Sequence, residues 1–594
     1  MNSLSVNGKN WILKKYNQKE VTYIKENFLL DDITSKLLSI RKIKKEEINS
    51  FLNPSIKNFL PNPNTLTDMS KATKRTVSAI EKNDKIGIFG DYDVDGATST
   101  ALLGKYFSEL KLNYEIYIPD RKKEGYGPSI KSFKELIEKG VKIIFTVDCG
   151  TLSFEAIDYA KDNKIDVIVL DHHQSEINLP KAFSVVNPNR LDDNSNLQYL
   201  CAAGVTFMFL VAMNRELRIN KWFIKNKIIE PNLIDYLDLV SLGTVCDVVP
   251  LIGLNRAIVK QGLKILKTKK NLGLKTLLDI CKIETSPSIY HLGFMLGPRI
   301  NAGGRVGKCS HGANLLLNTD AKKAFKLATE LDQFNKERQM LEKDLLQKIL
   351  NETKGYSNDP VLILSGKNWH EGVIGIVASR LKDKFNKPVI IISIENEIGK
   401  ASARSIVGFD IGSIIIGASQ KKLLIKGGGH KMAGGFSIYV KNIEKFKEFV
   451  FRKFRNINEN LTNEKPLFLD SIISPTALNL DFYNKVNSLA PFGSGNPEPK
   501  FIIQNVKTIN GQIVGDKHIK SILIGEEGSS IKTIAFNATE NDLSAYLLKK
   551  NHKLFNIAGK LSLNEWKGQS NVEFIIDDIS VNKTLKNTVP SSIG

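Results

Sequence analysis

Three short apolar runs in this chain end in acids. Lys85 to Gly90 (KIGIFG) leads into Asp91-Tyr92-Asp93-Val94-Asp95-Gly96. Lys142 to Val147 (KIIFTV) leads into Asp148-Cys149-Gly150, and Asp166 to Leu170 (DVIVL) leads into Asp171-His172-His173. A further apolar segment, Leu239 to Cys246, is closed by Asp247. In a parallel α/β sheet the carboxyl ends of the strands share one edge, and ligands bind there. The spacing therefore predicts that sequence-distant acids meet. So many carboxylates repel one another unless protons or cations intervene. Oxygen donors plus imidazole, without thiolate, suit Mn²⁺ or Mg²⁺ better than structural zinc, and the histidines favour Mn²⁺. The acids are numerous enough for two ions about 3.5–4 Å apart, a pair that activates water and neutralises a phosphoryl transition state. Any one acid is explained as well by N-capping of the next helix. Three strand ends in succession, with a His pair, are not.

The acids need strands to position them. Tyr114 to Ile118 is a fourth apolar run, and amphipathic segments at Ala97 to Leu110, Ser129 to Lys139 and Phe154 to Asn163 lie between the runs. Buried strands alternating with helices predict βαβ units and a parallel sheet over residues 80 to about 270. Residues 1 to about 70 are polar and helical in pattern and read as a lead-in. Leu327, Leu331, Phe334, Leu341 and Leu345 recur at helical spacing, which predicts one long helix over 320–353 bridging two domains. A second α/β unit is expected at about 358–455, with strands at Val361 to Leu364 and Val389 to Ser393 and a glycine-rich segment, Gly427-Gly428-Gly429-His430. After the turn-rich Pro491 to Pro499, short alternating strands predict a small β-barrel to about 582.

Composition sets outer bounds. The chain has 594 residues, which at about 150 per domain predicts several domains. With 42% hydrophobic and 25% charged residues it is neither disordered nor fibrous. Its five cysteines, none in a CxxC pair, argue against a disulfide scaffold or a structural zinc site. The N-terminus has no apolar signal-peptide core, and no stretch reaches the ~18 apolar residues of a membrane span. A cytoplasmic protein is expected. The net charge of +21 suits a polyanionic partner, although the general richness in Lys, Ile and Asn accounts for it equally.

GDYDVDGATS, TVDCG, DHH and SLGTVCDVVPL resemble, in order and spacing, the four motifs of the DHH phosphoesterase superfamily. The resemblance implies metal ligation by Asp93, Asp95, Asp148, His172 and Asp247. Asp91 stands where some relatives carry a ligand His, and is taken as a sixth ligand. It places His173 beside the scissile phosphate, with Asp95 and Asp148 as its catalytic companions, and Asp171 behind the histidines as their orienting partner. GGGH followed by Met432-Ala433-Gly434-Gly435 resembles the DHH-associated domain. That implies substrate binding by Gly428, Gly429 and His430, and by Ser402 and Arg404 of Ala401 to Ser405.

Three features resemble the single-strand exonuclease branch of that superfamily. Gly297-Pro298-Arg299-Ile300-Asn301-Ala302-Gly303-Gly304-Arg305 resembles its end-recognition segment, so Arg299, Asn301 and Arg305 would bind a terminal 5′-phosphate. Pro119-Asp120-Arg121 with Glu124-Gly125-Tyr126-Gly127 resembles its substrate loop; Arg121 would bind phosphate and Tyr126 stack on a base. The β-rich C-terminus fits its OB fold, with Lys507, Lys517, Lys520, Lys532, Phe536 and Trp566 as candidate contacts to a single strand.

The expected fold class is α/β: a DHH-type parallel-sheet core and a second α/β DHH-associated domain joined by a long helix, with a C-terminal OB-like β-barrel. Expected boundaries are 1–70, 71–300, 301–355, 356–460 and 465–585. The expected activity is metal-dependent 5′→3′ hydrolysis of single-stranded DNA to 5′-mononucleotides, in recombination and repair. Two divalent cations would assist, Mn²⁺ in preference to Mg²⁺, and a helicase and a single-strand-binding protein are the partners the resemblance implies. Relatives that cleave short oligonucleotides or cyclic dinucleotides generally resemble only the two core domains, and the barrel and GPRINAGGR argue against that activity here. An inactive DNA-binding scaffold would have lost metal carboxylates, and this chain keeps them.

Overall fold

Strands buried on both faces read as continuous apolar runs. IGIFG and IIFTV, buried at every position, form the strands Ile86–Gly90 and Ile143–Val147. They are central in a five-stranded sheet ordered Tyr114–Tyr117, Ile86–Gly90, Ile143–Val147, Asp166–Leu170, Ser184–Val186, and every pair is parallel. The helices Val94–Glu109, Ile130–Glu138 and Phe154–Asp162 make the crossovers. Asp93 caps the first of these, its Oδ1 accepting the Gly96 N–H at 3.0 Å.

The structure, a computed structural model, describes residues 5–121, 123–352, 359–457, 465–548, 553–566 and 569–581. It divides into two units: Met1–Phe59, Pro250–Lys260 and Asn463–Gly594 form one, Leu60–Val249 and Gln261–Thr462 the other. Residues 250–260 thus leave the expected 71–300 block. Among the described residues no helix is long and apolar enough to cross a membrane.

The larger unit holds both five-stranded sheets. The apolar segment before Asp247 is the buried helix Leu237–Cys246; a short apolar run reads alike for a buried strand and a buried helix. The arginine-rich segment is also helical, Gly297–Val306, continuing from a π-helical turn at His291–Leu296. The long helix is Ala321–Glu352. The second sheet runs Lys426–His430, Ala433–Tyr439, Ile398–Arg404, Val389–Glu395, Leu362–Lys367, with only the last pair parallel. Ile390, Ile392, Ala401 and Ala403 pack on one side with Ile411, Ile415 and Phe446. Val389 and Ile391 pack on the other with Val373 and Val377 of the helix Glu371–Phe385 and with Leu345 and Ile349 of the long helix.

In the smaller unit, Phe501–Val514, His518–Gly525, Ser530–Ala535, Gln569–Ser580 and Phe555–Trp566 pair in that order, and the first pairs again with the last, closing a barrel. The helical lead-in expected for 1–70 needs correction. Lys9–Leu13 is a strand, paired in parallel with Lys465–Leu469. Ile24, Leu37, Leu38 and Ile48 share the barrel core with Phe501, Val506, Leu523 and Phe555. Pairing across 456 residues has no local signal in the sequence.

Arg256 ties this unit together. The side chain is 1% exposed, and its guanidinium donates to the carbonyls of Phe51, Leu489, Ala490 and Pro491 at 2.8 to 3.2 Å. Arg256→Ala strands four carbonyl acceptors and leaves a void. It is expected to destabilise by about 3 kcal/mol or more, read as a lowered urea midpoint of this unit. An unchanged midpoint would reject that role.

Candidate metal centre and phosphate pocket

The strand-end acids converge. His172 Nε2 lies 3.3 Å from Asp148 Oδ1, 3.7 Å from Asp247 Oδ2 and 3.8 Å from Asp95 Oδ2. Ligand atoms of Asp91, Asp93 and Asp148 lie within 4.8 Å of one another, as do those of Asp95, His172 and Asp247. Two adjoining donor groups with no thiolate suit a pair of hard divalent cations. Asp247, at the end of its helix rather than of a strand, completes the second group.

Backbone and hydrogen bonds hold these side chains in place. Asp148 sits at φ 60°, a left-handed conformation that Asp tolerates better than most residues, at the end of Ile143–Val147. Both oxygens of Asp95 accept N–H groups at the start of the helix Ala202–Ile219, from Ala202 at 2.6 Å and Ala203 at 2.9 Å. Asp171 stands behind the histidines. Its Oδ1 accepts the backbone N–H of His172 at 2.7 Å, that of His173 at 3.2 Å and the His173 ring Nδ1–H at 2.8 Å, while Oδ2 accepts the Thr151 N–H at 3.1 Å. Asn187 Nδ2 donates to the His173 carbonyl at 2.8 Å.

The electrostatics suit divalent cations. Burial, then the neighbouring carboxylates, push the Asp91 and Asp148 acids well above the usual range. Asp95 is raised by the same causes, and Asp247 to about 8. Asp91 Oδ1 and Asp148 Oδ1 are buried without a hydrogen-bond partner among the described residues. Orphaned buried oxygens on neighbouring carboxyls are what a cation would satisfy. Asp171 is the contrast: burial opposes its charge, but the bond to His173 and the nearby imidazoles hold it well below the usual range. The same bond outweighs burial at His173 and raises it to about 9.

A second cluster is cationic. Arg305 donates from Nη1 to the Gly372 carbonyl at 3.0 Å. Burial, then the charges of Arg121, Arg338 and Arg404, lower its proton affinity, so three other guanidinium groups lie within electrostatic reach of it, Arg338 being itself bonded to Glu342 at 2.7 Å. Arg404 Nη1 donates to the Ala403 carbonyl at 2.8 Å and to Ser402 Oγ at 3.3 Å. A Cβ on Gly375 would lie 2.9 Å from Ser402 Oγ and 3.2 Å from Arg404 Nη2, so a larger residue on the helix Glu371–Phe385 would displace those two side chains. Arg121 lies over the Tyr92 ring at 5.3 Å.

GGGH is an exposed edge strand rather than a loop. In register, His430 aligns with Ala433 and Arg404, and Gly428 with Gly435 and Ser402. Strand residues at matched and alternate positions share a face. Ser402, Arg404, Gly428 and His430 therefore share the face opposite the packed Ala401 and Ala403. Gly429 belongs to the other face, where a Cβ would lie 2.5 Å from the Ala433 carbonyl.

Some expected residues are placed otherwise. Arg299 is committed to the long helix, Nε donating to Asp332 at 2.9 Å and Nη1 to the Met295 carbonyl at 2.7 Å. Asn301 lies half-buried on the helix Gly297–Val306. Tyr126 Oη donates to the Asp148 carbonyl at 2.9 Å and lies 3.2 Å from His173 Nδ1, which makes the ring a wall of the metal site. On the barrel, Lys517 and Lys520 pair with Glu540 and Glu573, Lys507 and Lys532 are exposed, and His518 packs edge-on to Phe536. The Trp566 side chain lies outside the described residues. Arg338, His370, Thr151 and Asn187 were not singled out from sequence. His370 caps Glu371–Phe385 through Nδ1 at 3.2 Å, and the HEG sequence just before an apolar helix was its one local signal.

Comparison with known proteins agrees with this geometry. The DHH family N-terminal domain matches residues 85–244, the DHHA1 domain 358–456 and the RecJ OB domain 469–578. The single-stranded-DNA-specific exonuclease RecJ of Haemophilus influenzae is 34% identical over 89% of this chain and 93% of its own length. That of Bacillus subtilis is 30% identical over 96% of this chain and 71% of its own. The crystal structures of Thermus thermophilus RecJ in complex with Mn²⁺ and with Mg²⁺ superpose with TM-scores of 0.80 and 0.74, at 26% and 25% identity. They cover 97% of this chain and 80% and 79% of theirs. Carboxylates meeting on a parallel sheet edge, a glycine-rich edge strand in a second α/β sheet, a closed barrel and these relatives agree: the chain belongs to the RecJ family of DHH phosphoesterases.

Proposed function

We propose that this protein degrades single-stranded DNA from the 5′ end with two divalent cations, Mn²⁺ in preference to Mg²⁺, and releases 5′-mononucleotides. The observation that carries the reading is the carboxylate–imidazole cluster of Asp91, Asp93, Asp95, Asp148, His172 and Asp247 with its orphaned oxygens. Those residues would hold the cations, which when bound supply charge stabilisation at the phosphoryl group and lower the pKa of a water. Arg305, Arg404 and Ser402, with Gly428 and His430 on the adjoining strand face, would together offer charge and donors that suit a terminal 5′-phosphate. Seating that phosphate presents the next phosphodiester to the acids. Asp171 keeps a proton on His173 Nδ1 and fixes the ring, so His173 is placed to steady the scissile phosphate or to protonate the departing 3′-oxygen. Cleavage there leaves a new 5′-phosphate on the shortened strand, so each product end is the next substrate. Exposed Lys507 and Lys532 on the barrel would hold the strand backbone. The activity belongs to recombination and repair in the cytoplasm, where a helicase and a single-strand-binding protein would supply and present the strand.

The test uses a 3′-labelled single strand with a 5′-phosphate, incubated with enzyme and Mn²⁺. Stepwise shortening that keeps the label is expected, with a blunt duplex left intact and EDTA stopping the reaction. Early loss of the label would overturn the polarity. Arg404→Ala is expected to raise KM for the 5′-phosphorylated strand by about tenfold to a hundredfold, with a smaller effect on a 5′-hydroxyl strand. Equal effects on both strands would remove Arg404 from end recognition.

A further inference from the structure

Phe294 is 71% exposed, the most exposed aromatic side chain among the described residues, and Tyr290 is 61% exposed. Their rings stack on each other, with centroids 5.3 Å apart and planes at 22°. His291 braces the pair edge-on to Tyr290 at 6.0 Å, its own ring held by the Ser288 N–H, which donates to Nδ1 at 3.0 Å. Core packing accounts for neither outer ring face. The pair stands on the π-helical turn His291–Leu296 and the residue before it, and such turns recur at functional sites.

The opposite side of that turn touches the metal centre's own scaffold. Cys246 Sγ lies 3.4 Å from the Leu292 carbonyl, a Cβ on Gly293 would meet Val245 at 3.5 Å, and one on Gly297 would lie 2.5 Å from Cys246 Sγ. Cys246 is the last residue of the helix that delivers Asp247. The stacked rings are therefore fixed one helix away from a metal-ligand position, and the same chain continues into the helix that carries Arg305.

We propose that Tyr290 and Phe294 form a stacking platform for nucleobases of the single strand whose 5′ end lies in the phosphate pocket. This rests on the single-strand reading given above. Every base has a π-face, so a stacking platform accepts any sequence, which an enzyme that consumes a strand residue by residue requires. A duplex, its bases already stacked and paired, offers no free face to the platform.

The test compares two strands of equal length, oligo(dT) and a fully abasic strand, by fluorescence anisotropy without metal. Wild type is expected to prefer oligo(dT). Tyr290→Ala/Phe294→Ala is expected to lose about 5- to 150-fold in affinity for oligo(dT) while its affinity for the abasic strand stays as in wild type. Unchanged oligo(dT) binding, or equal losses on both strands, would overturn the platform. Phe294→Trp guards against a folding defect, because oligo(dT) is expected to quench the new indole and the abasic strand is not. Absence of that difference would also overturn it. Failure of wild type to bind either strand would instead sink the single-strand reading itself.

Discussion

Asp148→Asn is expected to cut metal-dependent cleavage by about 10³-fold or more, and to make the metal-free protein more stable. The two effects share one cause. Asp148 is buried, left-handed in backbone, and faces Asp91, Asp93, Asp95 and Asp247. A cation pair at such a site supplies several kcal/mol of transition-state stabilisation, and about 1.4 kcal/mol is a factor of ten. Asn keeps the size and tolerates φ 60°, so the backbone need not move. Without metal, the carboxyls of Asp91, Asp95, Asp148 and Asp247 are held above their unfolded value near 4. Stability from such a raised group is full below that value and is lost as pH rises through the folded one, about 8 for Asp247. A neutral amide in place of the Asp148 carboxyl removes part of that loss at neutral pH. In thermal melts near neutral pH, wild type without metal should melt below the variant, and Mn²⁺ should raise wild type far more than the variant. A variant with wild-type turnover in Mn²⁺ would dismiss this cluster as the catalytic centre.

Asp171→Asn has the next largest expected effect, though it removes no ligand. Asp171 accepts four N–H groups in a buried site. Asn offers one carbonyl oxygen, and its amide must face donors that need an acceptor. Leaving one or two N–H groups unmet costs about 2–4 kcal/mol. Activity should fall by about 10- to 100-fold, the usual cost of losing the partner that orients a ligating or catalytic imidazole. One readout separates this from simple loosening. In metal-free enzyme followed by NMR, the His173 titration should drop from about 9 toward its ordinary value near 6.5, because the Asp171 bond is what raises it. The low-lying Asp171 carboxylate contributes stability above its unfolded value that is lost on acidification, so the gap in melting temperature between wild type and variant should narrow as pH falls. An unshifted His173 titration would show that the pairing does not exist in solution.

Much of the site was legible because its signals are local. An apolar run ending in Asp or His predicts a strand end, and parallel strands must put those ends on one edge. Asp91, Asp93, Asp95, Asp148 and His172 therefore meet as their spacing implied. Asp247 was legible as a residue but not as an element, since a buried helix and a buried strand share one apolar pattern. The arginines were legible only as candidates. Arg299 and Arg305 lie in one motif, yet Asp332 on the long helix claims Arg299, while Arg305 is left among Arg121, Arg338 and Arg404.

The order of residues along the chain was enough to say which acids exist, which strands present them and where glycine-rich segments fall. Those follow from periodicity and strand-end geometry over a few residues. Folding in three dimensions was needed to settle which charges are paired and which remain available. It was needed, too, to show that Tyr126 braces Asp148, that Tyr290 and Phe294 stack in the open, and that Lys9–Leu13 finds Lys465–Leu469. Those depend on neighbours distant in sequence. Burial sets the energy of a charge or a ring face, and burial is a property of the folded chain.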